Sequence, residues 1–278
     1  MMISRRALLQ SAALAAAVPL AQRAAAAPLS RPVQDPNAQT RLIAGPAQDG
    51  VAQAGLEMVL APGWKTYWRY PGDSGVPPRF DWSGSKNVAD VTVLWPAPHV
   101  FPDGSGGSSI GYKGRVLLPL VVRLKNPADP AELDLALDFA VCQSLCVPAD
   151  ARLSVPLPGT EAEAPALAEA RAEVPVATPF GAGSGPAVLK VERDAGTTPP
   201  RLIITARASA EAVLLVEGPD DTWALPIPER QPGAGETVRF TLPLLGVPSD
   251  ARLPGSKLTL TLVDGAKAIE TTTAIPGA

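Results

Sequence analysis

The chain has 278 residues, 46% of them hydrophobic, with 24 basic and 27 acidic residues and a net charge of −3. That is ample material for a packed core, in two domains at this length. The acidic balance, with no basic aromatic stripe, argues against nucleic acid as a partner. Thirty-two prolines and 24 glycines, with little helical periodicity, predict an all-β protein of many short strands and turns.

The start, Met1-Met2-Ile3-Ser4-Arg5-Arg6-Ala7-Leu8-Leu9, resembles a bacterial twin-arginine export signal. An Ala/Leu stretch and the run Ala24-Ala25-Ala26-Ala27 follow, the order of an apolar middle and a small-residue cleavage site. Residues 1–26 are therefore read as a signal peptide, cut after Ala25 or Ala26 because Pro28 disfavours a later cut. The signal takes Arg5, Arg6 and Arg23 with it, leaving 21 basic against 27 acidic residues and a net charge near −6. No later run reaches the roughly 18 apolar residues of a membrane helix. The mature form is expected to be periplasmic and not to span the membrane.

Residues 27–44, rich in Pro and Gln, read as a flexible leader. Strand-like patterns follow at 51–60, 88–94, 116–124 and 133–141, separated by turn clusters such as Pro71-Gly72-Asp73-Ser74-Gly75. They predict an immunoglobulin-like β-sandwich over residues 45–158. Residues 159–185 read as a linker, with a short helix at 161–174 and a Gly/Pro/Ser stretch after it. Further strand patterns at 187–193, 201–206, 212–217, 237–242 and 257–263 predict a second, smaller β-sandwich over 186–278. It has no cysteine and no histidine, and a spacer or docking role is expected of it.

The only two cysteines stand in Val141-Cys142-Gln143-Ser144-Leu145-Cys146-Val147-Pro148. Before them, Leu133, Leu135, Leu137, Phe139 and Val141 alternate as a half-buried strand does; after them Leu153, Val155 and Leu157 do the same. The simplest geometry is a β-hairpin with residues 142–150 as its tip. In an extended strand, residues four apart are separated by about 13 Å. A disulfide needs Cα atoms roughly 4.4–6.8 Å apart, so the pair can bond only if the chain turns between them. Closing a loop of about five residues stabilises by only about 2 kcal/mol, against nearly 5 for a hundred-residue loop. That favours an exchangeable redox pair over a structural staple. A third reading is a copper(I) site of Cys142 and Cys146, with the lone His99 as a distant extra ligand. Asp138 falls on the polar face near the hairpin, where a carboxylate would raise a thiol pKa, or where it is only a solvated side chain.

Several phrases carry a family resemblance. They are Pro62-Gly63-Trp64-Lys65-Thr66-Tyr67-Trp68-Arg69-Tyr70-Pro71-Gly72-Asp73-Ser74-Gly75, Pro77-Pro78-Arg79-Phe80-Asp81-Trp82, Leu94-Trp95-Pro96, Gly111-Tyr112-Lys113-Gly114 and the cysteine phrase itself. Over roughly residues 45–157 the chain resembles the periplasmic N-terminal domain of the DsbD thiol:disulfide interchange proteins, especially their suppressor-of-copper-sensitivity branch. The resemblance implies an immunoglobulin-like domain that takes electrons from a membrane-embedded thiol donor and passes them to periplasmic thioredoxin-like or disulfide isomerase proteins. Cys146 would form the mixed disulfide and Cys142 would resolve it, with no bound cofactor; an enzyme of this kind is a protein-disulfide reductase. The resemblance also implies a cap loop over the cysteines within residues 95–112, with Phe101 and Tyr112 as its candidate aromatics. Trp64, Tyr67, Trp68 and Tyr70 are expected to pack the core and sheets. The chain carries no polytopic membrane domain and no thioredoxin-like domain with a C-x-x-C motif, so the electron source is expected to be a separate protein.

Overall fold

The computed structural model describes residues 33–103, 106–233 and 235–277. The signal at 1–26 therefore lies outside the described residues. The first sandwich is built from β1 (Val33–Asp35), β2 (Ala38–Gln48), β3 (Val51–Leu60), β4 (Lys65–Gly72), β5 (Arg79–Asp81), β6 (Val88–Val93), β7 (His99–Pro102), β8 (Ser108–Lys113), β9 (Arg115–Leu124), β10 (Ala131–Cys142) and β11 (Cys146–Leu157). One sheet has the order β1-β2-β3-β9-β6; the facing sheet runs β11-β10-β4-β8-β7, with β5 also on β10. Between them lies a core that includes Leu42, Leu56, Trp68, Leu118, Leu120, Leu133 and Leu135. The alternation of β10 and β11 places their apolar faces in this core, as a sheet with one buried face requires.

The first sandwich starts earlier than the sequence pattern suggests. Residues 38–44, expected in the leader, belong to β2, which pairs with β3 from Ala38↔Leu60 to Gln48↔Val51, with one bulge between Ala44 and Ala47. Leu42 is fully buried there. The ladder satisfies the backbone of this polar-looking stretch, and one face of it supplies core.

The helical patch at 161–174 is a 3-10 turn, Glu161–Glu163, followed by α1 (Ala164–Ala172). It does not float in a linker. Leu167 and Ala170 are buried with Ile43 and Leu117 on the outer face of the first sandwich. A Cβ on Gly55 would stand 2.8 Å from a Leu167 methyl, so the missing side chain is what lets the helix seat.

Beyond it, the second sandwich pairs β12 (Val176–Ala177), β19 (Lys267–Ala274), β18 (Lys257–Asp264) and β15 (Val213–Glu217) in one sheet. Its other sheet holds β13 (Ala187–Asp194), β14 (Arg201–Arg207), β17 (Thr237–Pro243) and β16 (Glu229–Pro232). Its own core includes Leu202, Trp223, Phe240, Leu258 and Leu260. The molecule is thus all-β, two sandwiches with a single short α-helix among the described residues. No helix among the described residues is long and apolar enough to cross a membrane.

The two sandwiches touch through β4. Arg69 Nη2 and Nε donate to the Glu217 carboxylate at 2.7 and 2.9 Å. Arg69 also pairs with Glu270, and the Tyr70 hydroxyl donates to the Leu225 carbonyl. Leu215 of the second sandwich is buried within the first core.

Truncating Leu167 tests the seating of the helix. Leu167→Ala is expected to cost about 2–3 kcal/mol in urea unfolding, whereas Leu245→Ala, at an exposed position, should change stability by less than about 0.5 kcal/mol. Equal unfolding midpoints for the two variants would mean that α1 is not packed.

Candidate functional site

The β10–β11 hairpin keeps its ladder to the very end, with Val141 opposite Val147 and Cys142 directly opposite Cys146. The tip is therefore only residues 143–145, closed by the Gln143 amide donating to the Leu145 carbonyl at 3.4 Å. It is narrower than the tip of residues 142–150 expected from sequence. The reason lies on the other side of β10, where β4 pairs Thr66 with Val141 and Lys65 with Cys142 and holds the strand straight to its last residue. Beneath the tip, Gly63 has φ +84°, and a Cβ there would lie 2.7 Å from the Gln143 amide nitrogen. The left-handed turn and the close approach both call for glycine.

Directly opposed residues in an antiparallel pair have Cα atoms about 4.5–5.5 Å apart, within disulfide range. Both cysteines are free thiols, with their sulfurs 2.7 Å apart. Conversion to a disulfide, bond length about 2.05 Å, needs no rearrangement of the backbone. The two thiols are not equivalent. Cys142 is buried at 7% exposure, packed with Tyr67 and Ala140, while Cys146 is open to solvent. Beside Cys146, Leu145 is 74% exposed, a large apolar side chain at the most prominent point of the hairpin.

Strand β4 supplies the polar surroundings. The Tyr67 hydroxyl lies 2.9 Å from Cys146 Sγ, although the ring itself is buried. Burial, reinforced by the two neighbouring thiols, pushes the Tyr67 hydroxyl far above its ordinary range, so it keeps its proton and can donate to a Cys146 thiolate. Burial also pushes the Cys142 thiol above its ordinary value. The neighbouring Cys146 adds to the shift, while the Tyr67 hydroxyl and the Lys65 charge pull the other way. Lys65 is buried at 8% exposure and donates to Ser109 Oγ at 2.7 Å.

The two aromatic candidates of the 95–112 region separate. Tyr112 packs inward. It is buried in the first core and its hydroxyl donates to the Pro96 carbonyl at 2.8 Å. Phe101, half-buried on the edge strand β7, has Lys113 Nζ 4.6 Å and Lys65 Nζ 5.8 Å from its ring centre. Through Lys65 it is connected to the strand facing Cys142. The loop at the end of β7 is tied to the turn after β4. Ser74 Oγ donates to Asp103 at 3.0 Å, and the Ser108 amide donates to Asp73 at 2.9 Å. His99 is exposed, its ring 6.2 Å from that of Phe101. Asp138 faces Asp150 and Arg79 in the ladders, four residues before Cys142.

Among the described residues no group of three His, Cys, Asp or Glu is placed to hold a metal ion. A cleft of about 670 Å³ lies between the sandwiches against Pro98, Glu173, Val176 and Lys267 and includes neither cysteine. The two thiols converge at the hairpin, away from this cleft. Sequence reasoning places both cysteines and assigns Tyr67 to packing. It misses the reach of the Tyr67 hydroxyl, and it misses Lys65 and Ser109 altogether. A lysine inside the aromatic run Trp64-Lys65-Thr66-Tyr67-Trp68 was the available signal.

The raised Cys142 pKa has a consequence for stability. The folded protein holds this proton while the unfolded chain gives it up. The contribution is therefore full below the ordinary thiol value of about 9 and is lost as pH climbs toward the folded value. Melting curves between about pH 7 and about pH 11 should show reduced protein losing stability more steeply above about 9 than Cys142→Ser does. Parallel curves would contradict the burial of this thiol.

Residues 31–158 match the family model described as thiol:disulfide interchange protein DsbD, N-terminal. No match was found among curated proteins. Among solved structures, the N-terminal periplasmic domain of ScsB from Proteus mirabilis aligns with TM-score 0.69 at 24% identity, covering 89% of this chain and 98% of that one. The second sandwich is thus part of the shared fold. The first sandwich, with its opposed cysteine pair, is similar to the DsbD N-terminal thiol:disulfide interchange domain, and the chain as a whole has the fold of the ScsB N-terminal periplasmic domain.

Proposed function

We propose that this protein is a periplasmic electron relay, in which the Cys142–Cys146 pair carries two electrons from a membrane-embedded thiol donor to thioredoxin-like or disulfide isomerase proteins. The observation that carries the reading is the asymmetry of the pair: a solvent-facing Cys146 directly opposite a buried Cys142 at a hairpin tip. A donor thiolate attacks Cys146 Sγ, the intramolecular S–S bond breaks, and its electron pair leaves with Cys142, which then takes a proton. The donor's second thiol attacks the mixed disulfide and releases Cys146, leaving a dithiol here and a disulfide on the donor. Toward an acceptor the steps reverse. Cys146 thiolate, receiving the Tyr67 hydroxyl hydrogen bond, attacks the acceptor disulfide; Cys142 then attacks Cys146 Sγ and frees the reduced acceptor.

Each residue takes its role from its position. Cys146 is the attacked and attacking sulfur because it alone of the pair is exposed. Leu145 offers an apolar anchor for a partner protein beside it. Phe101 is the cap candidate, standing on an edge strand rather than in the core. The second sandwich, fastened by Arg69 and Tyr70, acts as a spacer that fixes the direction in which the hairpin points. The twin-arginine-like start at 1–26 and the periplasmic setting of the similar Proteus mirabilis domain support export.

Equilibration with a glutathione or dithiothreitol couple tests the reading. A relay pair should show a reduction potential above about −300 mV, the level below which structural disulfides lie. A pair below that value, inert toward reduced thioredoxin-like donors, would be a staple and not a relay.

A further inference from the structure

Lysine is almost never fully buried unless it is paired, yet Lys65 is 8% exposed and, among the described residues, no carboxylate forms an ion pair with it. Its contacts are neutral. The ammonium donates to the Ser109 hydroxyl at 2.7 Å and stands 5.8 Å from the centre of the Phe101 ring. Ser109 is itself fully buried, and its hydroxyl also approaches the Phe101 carbonyl at 3.4 Å, so the tether is fixed from β8 and β7 together. In the β4–β10 ladder the residue directly opposite Lys65 is Cys142. The other titratable groups facing that thiol are Tyr67 from the same strand and Cys146 from β11, while Lys113 stands on the far side of Phe101. A buried cation without a permanent anion thus lies beside a buried sulfur that bears negative charge only during exchange.

We propose that Lys65 is the countercharge for the Cys142 thiolate formed when the disulfide is attacked at Cys146, with Ser109 as the positioning residue that holds the ammonium in place. The inference rests on the relay reading above. When a donor thiolate bonds to Cys146 Sγ and the Cys142–Cys146 bond breaks, the electron pair goes to Cys142 Sγ. Cys142 is only 7% exposed, so water reaches that sulfur poorly, and Lys65 supplies part of the stabilisation that water would. A leaving thiolate of lower basicity leaves faster. The same charge favours the Cys142 thiolate as nucleophile in the resolving direction, so forward and reverse steps are helped together. Burial keeps the resting Cys142 thiol protonated at neutral pH. Lys65 therefore acts on the rate at pH 7 while leaving the dithiol–disulfide equilibrium nearly untouched.

This split between rate and equilibrium is the test. With oxidised full-length protein and dithiothreitol as the probe at pH 7, Lys65→Gln retains a donor toward Ser109 but removes the charge. It is expected to slow reduction by about three- to tenfold, while the equilibrium position against glutathione moves by less than about twofold. Lys65→Arg should recover at least half of the lost rate. Should Lys65→Gln fail to fold, Ser109→Ala, which frees the ammonium, should still slow reduction by about two- to threefold. An unchanged rate in whichever of these two variants folds overturns the proposal, and so does equal slowing by Lys65→Gln and Lys65→Arg, which would mark a purely structural role. A wild-type disulfide that dithiothreitol cannot reduce would instead overturn the relay reading itself.

Discussion

The register of the β10–β11 hairpin is the constraint on which the site depends. Twelve consecutive pairs, from Ala131↔Leu157 to Cys142↔Cys146, set the two sulfurs opposite each other. In a strand the side chains alternate, so a slip of one residue would turn Leu133, Leu135, Leu137 and Phe139 out of the core as it separated the cysteines. The energy that fixes the cysteine geometry is therefore the burial of an apolar face up to nine residues away from Cys142. A loop of three residues then closes the hairpin, and the cysteines need contribute nothing to holding it.

Strand β4 joins this hairpin to the rest of the molecule. It runs between β10 and β8 and carries, in eight residues, the Lys65 and Tyr67 groups that face the thiols and the Arg69 and Tyr70 groups that grip the second sandwich. The Arg69 guanidinium bridges Glu217 and Glu270 while stacking 4.4 Å from the Trp68 ring, and Trp68 is fully buried. A movement of the second sandwich would thus be felt on the same strand that sets the electrostatics of the cysteine pair.

How much of this is legible in sequence follows from where the pattern is clean. The strands at 51–60, 133–141 and 257–263 show up because each has one face against a core, and alternation reports that directly. Strands β16 and β19 are silent because β16 is wholly exposed and β19 buries threonine, a polar residue that breaks the pattern. Strand β2 is masked by its polar, proline-flanked start. The cysteine pair and its turn were readable from spacing and disulfide geometry, whereas the width of the tip depends on β4, a partner distant in sequence. Phe101 and Tyr112 look alike as cap aromatics. Only the sandwich shows that Tyr112 points into the core with its hydroxyl bonded to Pro96. Lys65 required the cross-strand register, since nothing in its own neighbourhood names Cys142 as the residue opposite.

The account turns on which sulfur meets the partner. Cys142→Ser, mixed with a thioredoxin-like protein lacking its own resolving cysteine, gives the most direct measurement: mass spectrometry of any trapped covalent adduct. The account predicts a mixed disulfide through Cys146, and no adduct from the reciprocal Cys146→Ser variant while the protein stays folded. An adduct through Cys142 in that variant, at a comparable rate, would contradict it.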